Sequence, residues 1–152
     1  MRLVHAGKLD YYAKKLRRWV KGQGMEGQVN FLGFVSDQEL KWLYQNAQAY
    51  VFPSLSEGFG LPGLEAMVHV CPVVSSNATC LPEVYGDAAE YFDPLDVEEM
   101  AGAINKVLGS EALRSKLIAL GYAQAKKYSW QRMAEQTLEV YKEVLGTADN
   151  KS

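Results

Sequence analysis

Residues 52–67, Phe52-Pro53-Ser54-Leu55-Ser56-Glu57-Gly58-Phe59-Gly60-Leu61-Pro62-Gly63-Leu64-Glu65-Ala66-Met67, join the end of an apolar segment to the beginning of a helical one. The apolar segment before Pro53 has the composition of a buried strand. Gly58 and Gly60 allow the following loop to approach a ligand closely. Pro62 suits the first turn of a helix, where an amide N–H would have no partner. This order of strand, glycine loop and helix indicates an α/β fold.

The same alternation of strands and helices runs through the rest of the chain. Apolar segments predict strands at 3–6, 29–33, 49–52, 72–76 and 89–92. Helical spacing predicts a helix after each of the first three strands and three more after the fifth, the last at 130–145. Alternating strands and helices form a parallel sheet covered on both faces. We therefore expect a Rossmann-like three-layer domain, in which ligands bind at the carboxyl ends of the strands. Those ends lie near Gly7, Gly33, Phe52 and Ser76.

Two segments carry signals for the beginning of a helix. Ser36 and Glu39 have the spacing of a capping box, in which each side chain meets the backbone amide of the other residue. Asp96 and Glu99 have the same spacing. Asp93 with Asp96 could instead suggest a metal-binding pair, but capping of a helix by Asp96 explains these residues better.

The composition predicts one soluble domain at residues 1–146 and a flexible tail at 147–152. The chain has 152 residues, of which 48% are hydrophobic, and a net charge of −2. This charge gives no general attraction to nucleic acid. Cys71 and Cys80 have no ligand-like neighbours, so we expect reduced thiols, with Cys71 in the core, and neither a zinc site nor a disulfide. No apolar stretch approaches the ~20 residues of a membrane helix, and no signal peptide is evident, which predicts a cytoplasmic protein.

The glycine loop and the helix after it can form an anion site. The amide groups and the positive end of the helix dipole favour a phosphate there. Glu57 and Glu65 flank this site and could accept hydrogen bonds from sugar hydroxyls on the two sides of a diphosphate. A nucleotide diphosphate sugar has that arrangement. Glycine loops before helices are common, however, and Glu65 alone could be a solvated helix residue.

Ordered motifs along the chain resemble a known family. Glu57 and Glu65 match the Glu-x7-Glu signature of retaining glycosyltransferases with the GT-B fold, most closely glycosyltransferase family 4. Further matches occur in the family's order at residues 31–36, 40–44, 51–54, 72–74, 81–84, 86–89, 93–96 and 128–130. The resemblance covers about residues 3 to 145. It implies the C-terminal half of a GT-B fold, which binds the activated sugar donor.

The resemblance also implies roles for individual residues. Glu57 would be the catalytic-site residue that holds hydroxyls of the transferred sugar, and Glu65 would bind the ribose diol. Val35 would contact the base through its backbone, and Gly7 would form the floor of the cleft. The backbone at Gly58, Phe59, Gly60 and Leu61 would meet the sugar and the phosphates.

The family's reaction moves a hexose from a nucleotide diphosphate sugar to an acceptor hydroxyl, with retention at the anomeric carbon. The GT-B fold needs neither a metal nor another cofactor, because helix N-termini and basic side chains neutralise the diphosphate. The resemblance thus implies no metal ligands and no nucleic-acid partner in this chain. It suggests synthesis of a polysaccharide, glycan or glycolipid.

The sequence departs from the family pattern in three ways. The strand at Leu3 matches the family's second strand, so the first strand–helix unit, with its Arg and Lys, is missing. The N-terminal acceptor domain is missing as well. Val70 stands where the family usually has a glycine. We therefore expect weak donor binding and no transfer by this chain alone. It would be a fragment, a remnant or one part of a split enzyme.

Several alternatives stay open at this point. The chain could be a nucleotide-sugar-binding module that pairs with a separate acceptor protein, or a GT-B relative that binds another phosphorylated ligand. His5 is a weak candidate for a donor contact, and His69 is expected to be structural. The last helix would expose apolar surface without the acceptor domain, which predicts self-association.

The first helix carries a cluster of cations at Lys14, Lys15, Arg17 and Arg18. A solvated helix face explains them, with peripheral contact to lipid headgroups of the inner membrane face as the alternative. The aromatic residues Tyr11, Tyr12, Trp19 and Trp42 are expected in the core or in a domain interface.

Overall fold

The computed structural model describes residues 1–149, with side chains through Gly146. The five strands are β1 (Leu3–Ala6), β2 (Val29–Gly33), β3 (Tyr50–Phe52), β4 (Val73–Ser76) and β5 (Ala89–Phe92). The seven α-helices of this part of the chain are α1 (Tyr11–Gly22), α2 (Asp37–Asn46), α3 (Leu61–Val68), α4 (Leu81–Tyr85), α5 (Val97–Gly109), α6 (Glu111–Ala125) and α7 (Trp130–Asp149). All five predicted strands are present, and every pair of adjacent strands is parallel.

The chain contains two compact units, and the prediction of a single domain at residues 1–146 stays a prediction. The first unit comprises residues 1–46, and the second begins at Ala47. Each unit has its own hydrogen-bonded sheet. In the first, β1 pairs with β2, and in the second the order is β3-β4-β5.

The core of the second unit is formed where the middle strand of its sheet meets α5 and α6. All four residues of β4, the middle strand, are buried, as is typical of a parallel strand covered on both faces. Val74 packs in one cluster with Phe92 of β5, Val107 of α5 and Leu117 of α6. This buried apolar cluster supplies the main hydrophobic stabilisation of the unit.

The first helix buries a different face from the one predicted. Ala13 and Val20, which are seven residues apart and share a face, are its buried residues. Residues 12 and 19 each precede one of them and point about 100° away. The four aromatic residues expected inside are exposed instead, by 69% at Tyr11, 75% at Tyr12, 58% at Trp19 and 62% at Trp42. The core placement is therefore wrong for these four residues, and their placement in a domain interface stays a prediction.

The predicted helix caps are confirmed. The backbone amide of Ser36 donates to Glu39 Oε2 at 2.7 Å, and the Glu39 amide donates to Ser36 Oγ at 3.3 Å. The Ser36 amide, together with the Ser36 hydroxyl that also donates to Glu39 Oε2 at 2.7 Å, lowers the pKa of the Glu39 carboxyl from its usual value. Asp96 Oδ1 accepts from the amides of Glu98 and Glu99 at 2.9 and 3.0 Å. Asp96 is therefore a helix cap in this fold.

Two helical parts of the second unit differ from the prediction. The short helix α4 and the 3₁₀ turn Gly86–Ala88 were not predicted. The last helix runs to Asp149, beyond the predicted end at Leu145, and it includes Gly146. Residues 147–149 of the predicted tail are thus helical, and 150–152 lie outside the described residues. No helix in the described part of the chain has the length and apolar character needed to cross a membrane.

The two cysteines are free thiols, as predicted. Cys71 is only 2% exposed, and burial raises the pKa of its thiol to about 12. Cys71 therefore stays protonated at ordinary pH and acts as a small core residue.

Val70, which stands where the family usually has a glycine, has a left-handed backbone conformation. Its φ angle is +57°. The amide of Cys71 donates to the Ala66 carbonyl at 3.0 Å, and the amide of Val70 donates to the Met67 carbonyl at 3.2 Å. These two bonds define a Schellman motif, which usually has glycine at this position. A β-branched residue is strained there.

We expect Val70→Gly to raise the free energy of unfolding by about 1 kcal/mol, because it removes the left-handed strain. Urea denaturation would measure the change. Val70→Ala is the matched control, since it shortens the side chain but keeps the Cβ, and it should recover less than half of the gain. A Val70→Gly protein that is less stable than the parent would contradict the strain assigned to Val70.

Candidate functional site

The candidate site in the second unit is centred on the loop that leads from β3 into α3. Gly60 precedes the helix with a φ angle of +88°, and no side chain caps the helix there. Pro62 lies in the first turn, as predicted. The positive end of the α3 dipole therefore faces this loop, which favours a negatively charged ligand.

A buried tyrosine supports this loop from below. The Tyr85 hydroxyl of α4 donates a short hydrogen bond to the Gly60 carbonyl, and Tyr85 is completely buried. A Cβ atom at Gly63 would lie 2.3 Å from Tyr85 Cζ, and one at Gly60 would lie 2.5 Å from the Tyr85 hydroxyl oxygen. Only glycine fits at either position while Tyr85 occupies this space.

The protonation state of Tyr85 makes this support independent of pH over the ordinary range. Burial is the largest cause that raises the pKa of Tyr85 far above its usual value, and the nearby Glu57 carboxylate raises it further. The hydroxyl therefore remains a hydrogen-bond donor to Gly60 throughout the range in which proteins are usually handled.

Serine side chains fix the segment that carries Glu57. The Ser54 hydroxyl donates to Glu57 Oε1 at 2.8 Å, so one oxygen of the carboxylate already has a partner. Ser76, at the end of β4, donates to the Ser54 carbonyl at 2.6 Å. Glu57 is half-buried and held on both sides, which limits the rotamers its carboxylate can adopt.

Thr79 holds the backbone of Glu57 from the loop after β4. Its hydroxyl oxygen accepts from the Glu57 amide at 3.1 Å and donates to the Glu57 carbonyl at 3.1 Å. The Cys80 thiol donates to the same carbonyl at 3.3 Å. Thr79 has a φ angle of +51°, which is rare for a β-branched residue and is typical of sites where other contacts fix the backbone.

Glu65 and Phe59 lie at the exposed side of the site. Glu65 is exposed on α3, near a groove of about 830 Å³ between this helix and the beginning of α7. The Phe59 ring meets Tyr128 edge to face at 5.4 Å between ring centroids, and both residues line the groove. His69 lines the same groove from the last turn of α3.

Gly7 and Val35 belong to the first unit. The Gly7 amide donates to the Gly33 carbonyl at 2.8 Å, so the carboxyl ends of β1 and β2 lie side by side. Val35 is half-buried in the turn that follows β2. His5 packs against Phe31 at 5.4 Å between ring centroids, and its Nδ1 atom is buried without a hydrogen-bond partner in this structure.

Sequence reasoning missed the residues that support the loop. Tyr85, Thr79 and Ser76 come from later in the chain and touch Gly60, Glu57 and Ser54 only after folding. A signal for Tyr85 was present, because two glycines three residues apart suggest close approach of another group. Nothing in the sequence identifies which group this is.

Comparison with known proteins shows the family to which this chain belongs. The sequence matches the family model described as "Glycosyl transferases group 1" over residues 1–124. It is 47% identical over 117 residues to O-antigen chain mannosyltransferase B of Escherichia coli, an alignment that covers 77% of this chain and 31% of that protein. It is 36% identical over 126 residues to the MMP alpha-(1->4)-mannosyltransferase of Mycolicibacterium hassiacum, covering 80% of this chain and 31% of that protein.

Solved structures agree on the fold. A sucrose-phosphate synthase from Thermosynechococcus elongatus superimposes with a TM-score of 0.86 at 24% identity, covering 96% of this chain and 39% of that one. The Anabaena protein HepE, solved in complex with UDP, gives a TM-score of 0.82 at 23% identity, covering 94% and 41% of the two chains.

The fold class is therefore the C-terminal half of the GT-B fold, as the sequence predicted. The chain belongs to the family of glycosyl transferases group 1. Its assignment to glycosyltransferase family 4 in particular stays a prediction. The chain spans less than a third of the length of the two curated relatives described above.

We expect Gly63→Ala to lower the free energy of unfolding by about 1–3 kcal/mol, because the added methyl group overlaps the Tyr85 ring. Gly102→Ala in α5 is the matched control, since a Cβ atom there meets no other atom within 4 Å. It should stabilise the protein by up to about 1 kcal/mol through helix propensity. Equal effects of the two substitutions in urea denaturation would contradict the close contact at Gly63.

We expect Thr79→Val to speed hydrogen exchange of the Glu57 amide by roughly fivefold, which corresponds to the loss of a hydrogen bond worth about 1 kcal/mol. The variant keeps the shape of the side chain and its backbone strain but lacks the hydroxyl. Thr79→Ser keeps the hydroxyl and should leave the exchange rate close to that of the parent. Exchange measured by NMR would show both, and an unchanged rate in Thr79→Val would mean that Thr79 does not protect this amide.

Proposed function

We propose that this chain is the donor-binding part of a glycosyltransferase that moves a hexose from a nucleotide diphosphate sugar to an acceptor hydroxyl. The observation that carries the proposal is the constrained position of Glu57 beside the uncapped end of α3. A carboxylate next to an anion site is repulsive unless it serves a neutral part of the same ligand. A nucleotide diphosphate sugar supplies both an anionic diphosphate and neutral hydroxyls.

The roles follow from the chemistry of each group. The α3 dipole and the backbone at Gly58–Leu61 meet the diphosphate and the sugar. The second Glu57 oxygen, which has no partner assigned among the described residues, accepts hydrogen bonds from the transferred sugar. Glu65, exposed about one turn into α3, accepts from the ribose diol. For Val35 and Gly7 of the first unit, the contacts with the donor that the family resemblance implies stay predictions.

The named activities of the relatives support a hexose as the transferred group. Both curated relatives described above are mannosyltransferases by name. The Anabaena protein with the same fold was solved with UDP. We therefore propose mannose as the first sugar to test. We also propose that the transfer retains the configuration at the anomeric carbon.

The apolar side chains of α7 support the need for a further domain. None of the residues of this helix with described side chains is buried, although Met133, Leu138, Val140 and Tyr141 are apolar and exposed. Such a surface usually meets another protein surface. We assign it to the acceptor-binding part of the enzyme. For the chain without that part, we predict self-association through α7 and weak activity.

Titration calorimetry tests the donor site. We expect one nucleotide diphosphate among UDP, GDP and ADP to bind, and the matching nucleotide sugar to bind as well, with GDP-mannose and UDP-glucose tested first. Glu65→Ala should weaken both ligands by about 1–3 kcal/mol, because the ribose loses a charged acceptor. Glu57→Ala should weaken only the nucleotide sugar, because its carboxylate meets the sugar.

The control variant is Glu111→Ala, which removes an exposed carboxylate from α6 and should change neither affinity. Titrations with EDTA and with Mg²⁺ test the expectation that no metal is needed, and equal affinities would support it. If neither a diphosphate nor a sugar nucleotide binds, or if Glu111→Ala weakens binding as much as Glu65→Ala, the donor site is not where we place it.

A further inference from the structure

The first helix carries a dense positive charge that the donor site does not use. Five of the 12 residues of α1 are cations, at Lys14, Lys15, Arg17, Arg18 and Lys21, and none is acidic. Within residues 1–149, the ion pair that the structure shows joins Lys106 to Glu90, so none of these five cations is neutralised by a carboxylate. Their positive charge is therefore directed to solvent or to a partner.

The net charge of the chain conceals a strong separation between the two units. The first unit holds eight of the 16 lysine and arginine residues and four of the 18 acidic residues, a net charge of +4. The remaining sequence holds eight cations and 14 acidic residues, a net charge of −6. Such asymmetry indicates an anionic partner for the basic half of a chain. The partner would meet the first unit through α1, which carries most of its cations.

Exposed apolar groups lie next to these charges on the same helix. Tyr12, Leu16 and Trp19 recur at a spacing of four and three residues and so share one face. All three are exposed, and their face lies about 90° around the helix from the buried residues Ala13 and Val20. Tryptophan and tyrosine favour the boundary between lipid headgroups and acyl chains, where an apolar ring and a polar edge are both accommodated.

The cations also border a groove of about 950 Å³ between α1 and β2. Lys14, Arg17, Arg18 and Lys21 line it together with a single acidic residue, Glu26. A groove with four cations and one carboxylate is suited to phosphate groups that approach from outside the protein.

We propose that α1 is a membrane-surface helix that binds anionic lipid. The helix lies along the surface, with Tyr12, Leu16 and Trp19 in the headgroup layer and Lys15 and Arg18 against lipid phosphates. A basic helix with a neighbouring strip of aromatic and leucine side chains has the pattern of interfacial helices. Nucleic acid also attracts cations, but it gives no reason for the exposed leucine and tryptophan on this face.

Vesicle co-sedimentation tests this proposal without any sugar donor or acceptor. Vesicles contain either phosphatidylcholine alone or equal parts of phosphatidylcholine and phosphatidylglycerol. We expect binding to the anionic vesicles at low salt and its loss at roughly 1 M NaCl, where screening acts within about 3 Å. Lys15→Glu with Arg18→Glu should weaken the binding by more than roughly tenfold, since each basic residue near an anionic surface contributes about a fivefold change in affinity.

The matched control changes the same number of charges elsewhere. Lys116→Glu with Lys126→Glu alters an exposed cation of α6 and the exposed cation directly after it, both in the second unit, and should leave binding within about twofold. Circular dichroism of each variant verifies that it is folded. If the control loses as much binding as the α1 variant, net charge alone drives the association and the proposal is wrong.

Trp19 reports whether the helix itself reaches the lipid. In the Trp42→Phe, Trp130→Phe protein it is the single tryptophan, since the chain has three. We expect its fluorescence to shift to shorter wavelength on anionic vesicles and to be quenched by lipids brominated near the headgroup. Sedimentation without a change at Trp19, equal binding to neutral vesicles, or binding of an RNA oligonucleotide but of neither vesicle would each overturn the proposal.

Discussion

The candidate site depends on the hydrogen bond from the Tyr85 hydroxyl to the Gly60 carbonyl. It ties α4 to the beginning of α3, so the direction of α3 and the shape of the glycine loop are set together. Because Tyr85 is completely buried, the loop rests on a rigid ring and not on solvent. The lack of side chains at Gly60 and Gly63 follows from this one contact.

The segment that carries Glu57 is fixed in a related way by the end of β4 and the residues after it. Ser76 and Thr79 both hydrogen-bond to the backbone of residues 54–57. A central strand thus places its polar side chains against the loop that follows its neighbour. The backbone of the site is ordered before any ligand arrives, which reduces the entropy that a ligand has to offset on binding.

The elements that local patterns determine could be predicted from the sequence. The five strands, the capping box of Ser36 and Glu39 and the cap at Asp96 depend on neighbours within a few residues, and the structure confirms them. The face that α1 buries could not be predicted, because periodicity shows that a helix is amphipathic but not which partner surface is present. Tyr85 lies 25 positions from Gly60, and Thr79 lies 22 positions from Glu57. No local sequence pattern encodes contacts at such separations.

The buried side of the glycine loop rests on Tyr85, whereas side chains on its outer side are exposed. Phe59 and Leu61 are exposed on the outer side, while Tyr85 holds the backbone from the inner side. The outer side chains can therefore change without disturbing the backbone geometry of the loop. This separation makes the loop evolvable, since one scaffold can acquire preferences for different ligands through single exposed substitutions.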